Sequence, residues 1–92
     1  MVAKSNAMIN NQRSSVTEWT FEIGDATGKH KHEYDYIVVP MMDRKLKIIN
    51  DDGSIEVSKL FKGCSYFRNK GVNHNVLNNN EYRFSFVEIE IK

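Results

Sequence analysis

The sequence predicts an all-β sandwich or barrel, on three observations. Apolar and polar residues alternate at a period of two in several short stretches. Turn residues interrupt those stretches at intervals of roughly 8–12 residues. Nowhere does an amphipathic helical pattern of useful length occur. A length of 92 residues holds one domain and no second core. With 40% hydrophobic and 11% aromatic residues that core is buildable but thin, so closing the sheet or pairing with a second copy would stabilise it.

The elements follow in chain order. Residues 1–15 are polar and unpatterned and read as a flexible N-terminal arm, leaving 16–92 as the folded domain. Ser5-Asn6-Ala7 ahead of Met8 reads as a cloning remnant, with Met8 the natural start. Thr17, Trp19, Phe21 and Ile23 face one way and Glu18, Thr20 and Glu22 the other, which is a half-buried strand. Gly24 to Lys29 is a turn-rich loop, and an extended run from His30 leads to Val39 and Pro40. Leu46 and Ile48 lie on a strand closed by Asn50-Asp51-Asp52-Gly53, a strong hairpin signal, and Ile55 and Val57 alternate with polar neighbours on the return. A short segment, Cys64 to Arg68, precedes the Asn69-Lys70-Gly71 turn. Val72 to Leu77 is extended, Asn78-Asn79-Asn80 turns the chain, and Tyr82 to Ile91 is the longest strand. That strand sets Tyr82, Phe84 and Phe86 on one face, continued by Glu88 and Glu90, and Val87, Ile89 and Ile91 on the other. Either a bulge re-aims it or both faces are covered, one of them by a partner.

Charge and cysteine content exclude several function classes. Thirteen basic residues balance 12 acidic ones for a net charge of +1, without the clustered Lys and Arg that phosphate neutralisation needs, so nucleic acid is not the expected partner. No apolar run is long enough to span a bilayer. The single cysteine, Cys64, excludes an internal disulfide framework, fits a reducing cytoplasm, and reads as a small buried hydrophobe.

The chemistry lies in the three histidines. Residues i and i+2 of a strand project to one side, so His30 and His32 share a face and can converge on one ion. His74 lies far along the chain and reaches them only if the strands meet in space, as they do in a closed barrel. Neutral imidazole suits iron, manganese, zinc, nickel and copper alike, so the expected cofactor is a divalent transition metal of unspecified identity.

Taken together, these residues make the chain resemble a small single-domain cupin. The cupins carry a first motif, G-x-x-x-x-x-H-x-H with a Glu three or four residues on and a later Gly, which Gly24, His30 and His32 match in spacing. Gly63, Gly71, His74 and Asn78 match the second motif, G-x-x-x-x-x-P-x-G-x-x-H-x-x-x-N. The resemblance covers about residues 24–78 and implies a cupin-type jelly-roll barrel, with pairing into a homodimer. The two-sided apolar character of Tyr82–Ile91 also points to a dimer. Asn69 replaces the motif Pro, and Arg44 falls near the closing Gly. The Glu ligand is absent, its positions held by Tyr36 and Ile37. A three-histidine site of His30, His32 and His74 is therefore expected, with Tyr36 or water nearby and Asp35 as the outlying alternative.

Three neutral ligands leave the full charge on a divalent ion and keep positions open for water, dioxygen or a chelating substrate. The reading favoured is a metal-dependent enzyme of dioxygenase, isomerase or lyase type acting on a small anionic metabolite. In it Tyr36 or Tyr66 shuttles a proton and an inward Arg68 binds a substrate carboxylate bidentately. The competing readings are a non-catalytic metal or ligand sensor and a structural homodimer with an empty barrel. An outward, solvated Arg68 is the commoner assignment for an arginine. Gly24, Gly63 and Gly71 are expected to form turns, Asn78 to cap one, and Trp19, Phe21, Phe84 and Phe86 to be core.

Overall fold

The structure, a computed structural model, describes residues 2–92. Within them the chain forms nine strands: β1 (Lys4–Asn10), β2 (Ser14–Phe21), β3 (His30–Lys31), β4 (Asp35–Pro40), β5 (Arg44–Asn50), β6 (Ile55–Leu60), β7 (Tyr66–Arg68), β8 (Asn73–Leu77) and β9 (Phe84–Ile91). They pair antiparallel in two sheets, ordered β1-β2-β9-β4-β7 and β3-β8-β5-β6. The chain passes repeatedly from one sheet to the other, and the two inner faces enclose the core. This is the expected all-β jelly roll.

Alternation decides which side chains enter the barrel. From the larger sheet, Phe21, Tyr36, Val38, Phe84 and Phe86 point inward, and they meet Leu46, Leu60 and Val76 from the smaller one. Phe21, Phe84 and Phe86 form a tilted aromatic triad with ring centroids 5.6–5.9 Å apart, closing one end of the barrel. The other end holds the histidines. The core is thus apolar at one end and polar at the other.

Several expectations are corrected. The arm assigned to residues 1–15 is largely ordered strand: β1 pairs with β2 from Lys4↔Thr20 to Asn10↔Ser15, with a register shift between Ala7 and Ile9. Its side chains are exposed, so the pairing rests on main-chain hydrogen bonds that the polar composition does not signal. Met1 lies outside the described residues. The run from His30 to Pro40 is two strands in different sheets. The N–H of His32 donates to the Val72 carbonyl and its own carbonyl accepts from Gly71 N–H, each at 2.8 Å, which ties the chain to the 71–72 turn before it crosses over.

On β6 the inward residues are Glu56, Ser58 and Leu60, whereas Ile55 and Val57 are exposed. The Asn50–Gly53 hairpin sets this register by pairing Ile49 with Ile55, and a one-residue offset reverses every side chain. Ile23 and Tyr82 also lie outside the strands and are exposed, Tyr82 beneath the Arg44 guanidinium. Cys64 sits in the exposed turn after β6 and not in the core. On β9 the register runs without a bulge from Phe84 to Ile91, so both faces are used as alternation dictates.

Candidate metal centre

His30 and His74 sit directly opposite one another on β3 and β8, and His32 follows where the chain leaves the sheet. Their imidazoles converge. His32 Nε2 lies 3.0 Å from His30 Nε2 and 3.2 Å from His74 Nε2. At metal–nitrogen bonds of about 2.0–2.1 Å, such spacings subtend roughly 95–105° at a common ion, as adjacent ligands of a tetrahedral or octahedral site require. Three ring nitrogens facing one point do not satisfy each other by hydrogen bonding alone. The donor set fits a metal ion.

The surroundings aim the ligands. His30 Nδ1 lies 2.9 Å from the Gly28 carbonyl, which accepts its proton and leaves Nε2 with a free lone pair. Thr27 Oγ1 lies 3.1 Å from the same nitrogen and also accepts the Val76 N–H, joining the loop to β8. His32 stacks on the Tyr36 ring with centroids 3.9 Å apart. Burial, then the neighbouring His30 and His74, pulls the His32 pKa down to about 4. Burial, then His30 and Arg68, does the same to His74, against a weaker opposing pull from Glu56. At neutral pH both rings are uncharged and available to a cation.

The histidines open on a cavity of about 500 Å³ between the sheets, lined also by Tyr36, Tyr66 and Arg68. The three residues expected to act on substrate therefore share one space with the three histidines. Tyr36 is buried, and burial, together with the nearby Tyr66 and Glu88, lifts its hydroxyl above the ordinary phenol range. Tyr66 is lifted too, chiefly by burial and in part by Glu88, against the Arg68 charge. Both are thus proton donors at neutral pH. Arg68 is exposed at the cavity mouth, its guanidinium 4.5 Å from the Tyr66 ring centroid.

Asp35 is turned away: its carboxylate accepts the Lys70 N–H at 2.8 Å, fixing the 69–71 turn. Asn78 does more than cap a turn, since its buried amide bridges the end of β2 to the chain entering β9. Gly63 and Gly71 adopt positive φ (74° and 95°) and serve as turns.

Other cavity residues were not among the sequence candidates: Glu88 and Glu90 on β9, Glu56 on β6, and Trp19 on β2. Parity along Phe84-Phe86-Glu88-Glu90 marks the first two as inward. Only the barrel shows that this face lies open to a cavity. Burial, then Glu90, pushes the Glu88 pKa up to about 7. Trp19 Nε1 is buried without a hydrogen-bond partner.

A jelly roll with histidines from both motifs meeting at its mouth defines a class, and comparison with known proteins agrees: the chain belongs to the cupins. A cupin domain from Bordetella pertussis is 46% identical, with a TM-score of 0.95 over 99% of this chain and 94% of its own. The beta-alanine degradation protein BauB of Pseudomonas aeruginosa is 41% identical over 90 residues, covering 98% of this chain and 94% of that protein. An RmlC-like cupin with a double-stranded β-helix fold from Methanocaldococcus jannaschii shares the fold at 12% identity, with a TM-score of 0.80 over 98% of this chain and 80% of its own. No family model matches the chain. Among the described residues no helix is long and apolar enough to cross a membrane.

Proposed function

We propose that this protein is a metal-dependent enzyme that binds a divalent transition metal through His30, His32 and His74 and acts on a small anionic metabolite. The convergence of three Nε2 atoms at the mouth of a small cavity carries the reading. The name of the Pseudomonas relative, a beta-alanine degradation protein, is consistent with a small carboxylate as substrate. A metal held there supplies a Lewis acid with open positions for substrate or dioxygen, suiting dioxygenase, isomerase or lyase chemistry. Arg68 binds the substrate carboxylate as a planar two-pronged donor. Tyr36 and Tyr66 hold their protons and donate to developing negative charge. Val38, Leu46 and Phe86 keep the inner end of the cavity free of water.

A homodimer in the cytoplasm is part of the same proposal. On the outer face of the larger sheet, Ile9, Val16, Ile89, Ile37 and Phe67 stand in register across all five strands. A continuous apolar row on an exterior wall is a surface for a second copy.

The test is elemental analysis of protein purified without a metal-affinity tag, followed by oxygen uptake with a panel of small carboxylates. One metal per chain is expected, with near-complete loss in His74→Ala. Full metal content in that variant would remove the three-histidine site. Metal without turnover on any panel member would favour a sensor.

A further inference from the structure

Six charged side chains line the cavity without an ion pair, and three of them, Arg68, Glu88 and Glu90, stand on the inner face of the larger sheet. Arg68 donates to the carbonyl of its neighbour Phe67 at 3.0 Å and otherwise lies over the Tyr66 ring. Among the described residues neither it nor Glu88 nor Glu90 joins an ion pair, the two pairs present being Lys29–Asp51 and Arg83–Glu22 on the exterior. A half-buried carboxylate with no partner is costly, whereas the exposed Arg68 guanidinium stays solvated and free to take an anion. Their placement is fixed by register. Arg68 stands opposite Tyr36, and Tyr36 opposite Glu90; one level further in, Tyr66 stands opposite Val38, and Val38 opposite Glu88. With neighbouring strands about 4.8 Å apart, the backbones of β7 and β9 are separated by about 10 Å. Both strands belong to one sheet, so these side chains project in the same direction on either side of Tyr36 and Val38. A small molecule lying over that middle strand spans the opposite charges.

The geometry points to a zwitterion as the ligand: a small amino acid whose carboxylate is gripped by Arg68 and whose ammonium is held by Glu88, with Glu90 beside it. This assignment rests on the reading of the cavity as the substrate site and makes Glu88 the residue that selects for an amino group. Burial and the adjacent Glu90 disfavour the Glu88 carboxylate, and a bound cation offsets the Glu90 repulsion, giving the pocket a preference for a charged amine. Trp19, the one tryptophan of the chain, reports on occupancy because it lines the same cavity.

Fluorescence titration at pH 8 compares β-alanine with propionate, which lacks the ammonium, and propylamine, which lacks the carboxylate. Zinc-loaded and metal-free protein are both titrated. In the wild type β-alanine should bind at least about tenfold more tightly than propionate, one unit of 1.4 kcal/mol. Glu88→Gln should bring that ratio to within about threefold while leaving propionate binding intact, and Arg68→Gln should weaken both acids but spare propylamine. A wild-type ratio near one, or an unchanged ratio in Glu88→Gln, overturns the proposal. The wild-type ratio decides it even if a variant fails to fold. Failure of zinc to bind, with the β-alanine preference retained, would overturn the metal reading and leave the zwitterion site standing.

Discussion

Replacing Asn78 by alanine tests whether one buried amide holds the barrel's closed end together. The side chain is 1% exposed, and its Nδ2 donates to the carbonyls of Phe21 (3.2 Å), Glu22 (3.2 Å) and Tyr82 (3.0 Å). Its Oδ1 accepts from Asn80, from the backbone N–H at 3.1 Å and from Nδ2 at 2.6 Å. Alanine removes all of these and leaves buried carbonyls with no donor. At about 1 kcal/mol for each of the three bonds to carbonyls, with the Asn80 donors free to turn to water, the loss should be about 3 kcal/mol. In a domain of this size each kcal/mol shifts Tm by about 4–8 °C, so a fall of roughly 12–24 °C is expected in calorimetry. Asn78→Asp keeps the acceptor for Asn80 but turns an acceptor toward three carbonyls, and should cost at least as much. Zinc affinity should weaken alongside, because the loop tied by Asn78 leads into Thr27 and His30. A Tm loss under about 4 °C for alanine, or a milder effect for aspartate than for alanine, would refute the reasoning.

Acid should destabilise the metal-free protein. His32 and His74 have folded pKa values near 4, below their ordinary 6.5, so their contribution is present above pH 6.5 and lost as pH falls toward 4. Glu88 acts oppositely: its pKa near 7 lies above the ordinary 4.5, so its contribution is complete below pH 4.5 and lost as pH rises to 7. Each shift is worth at most about 3 kcal/mol, less where solvent reaches the group. Two histidine losses against one glutamate gain leave a net fall of up to about 3 kcal/mol from pH 7 to 4, read by urea denaturation. Glu88→Gln removes the offset and should steepen the fall; an unchanged slope would show that Glu88 is not desolvated. Phe67→Glu should convert the proposed dimer to monomer in light scattering at micromolar concentration, while leaving zinc stoichiometry unaltered. A dimer that persists would locate the interface elsewhere.

The barrel and its pair of histidines on one face were legible in the sequence because both rest on short-range rules. A period of two places His30 with His32 and Phe84 with Phe86, and hairpin chemistry places the Asn50–Gly53 turn. Motif spacing added His74, whose meeting with His30 across β3 and β8 is a pairing that no local pattern encodes. The errors fall where local rules are silent. β1 has no apolar pattern because it is an exposed edge strand held by main-chain bonds, so composition alone reads it as loose. Alternation put Ile55 and Val57 on one face without saying which side it takes, and the hairpin register turns that face outward because β6 presents its polar residues to the cavity.

Chain order and residue type by themselves determined an all-β fold, its turns, and three imidazoles fit to share an ion. Only the tertiary structure decided that Glu88, Glu90 and Arg68 share one wall of the same cavity, and that Asp35 is spent on a turn. The physical reason is that side-chain alternation is a property of each strand alone. Which faces then look at each other depends on strand order and register, set by the packing of the whole barrel.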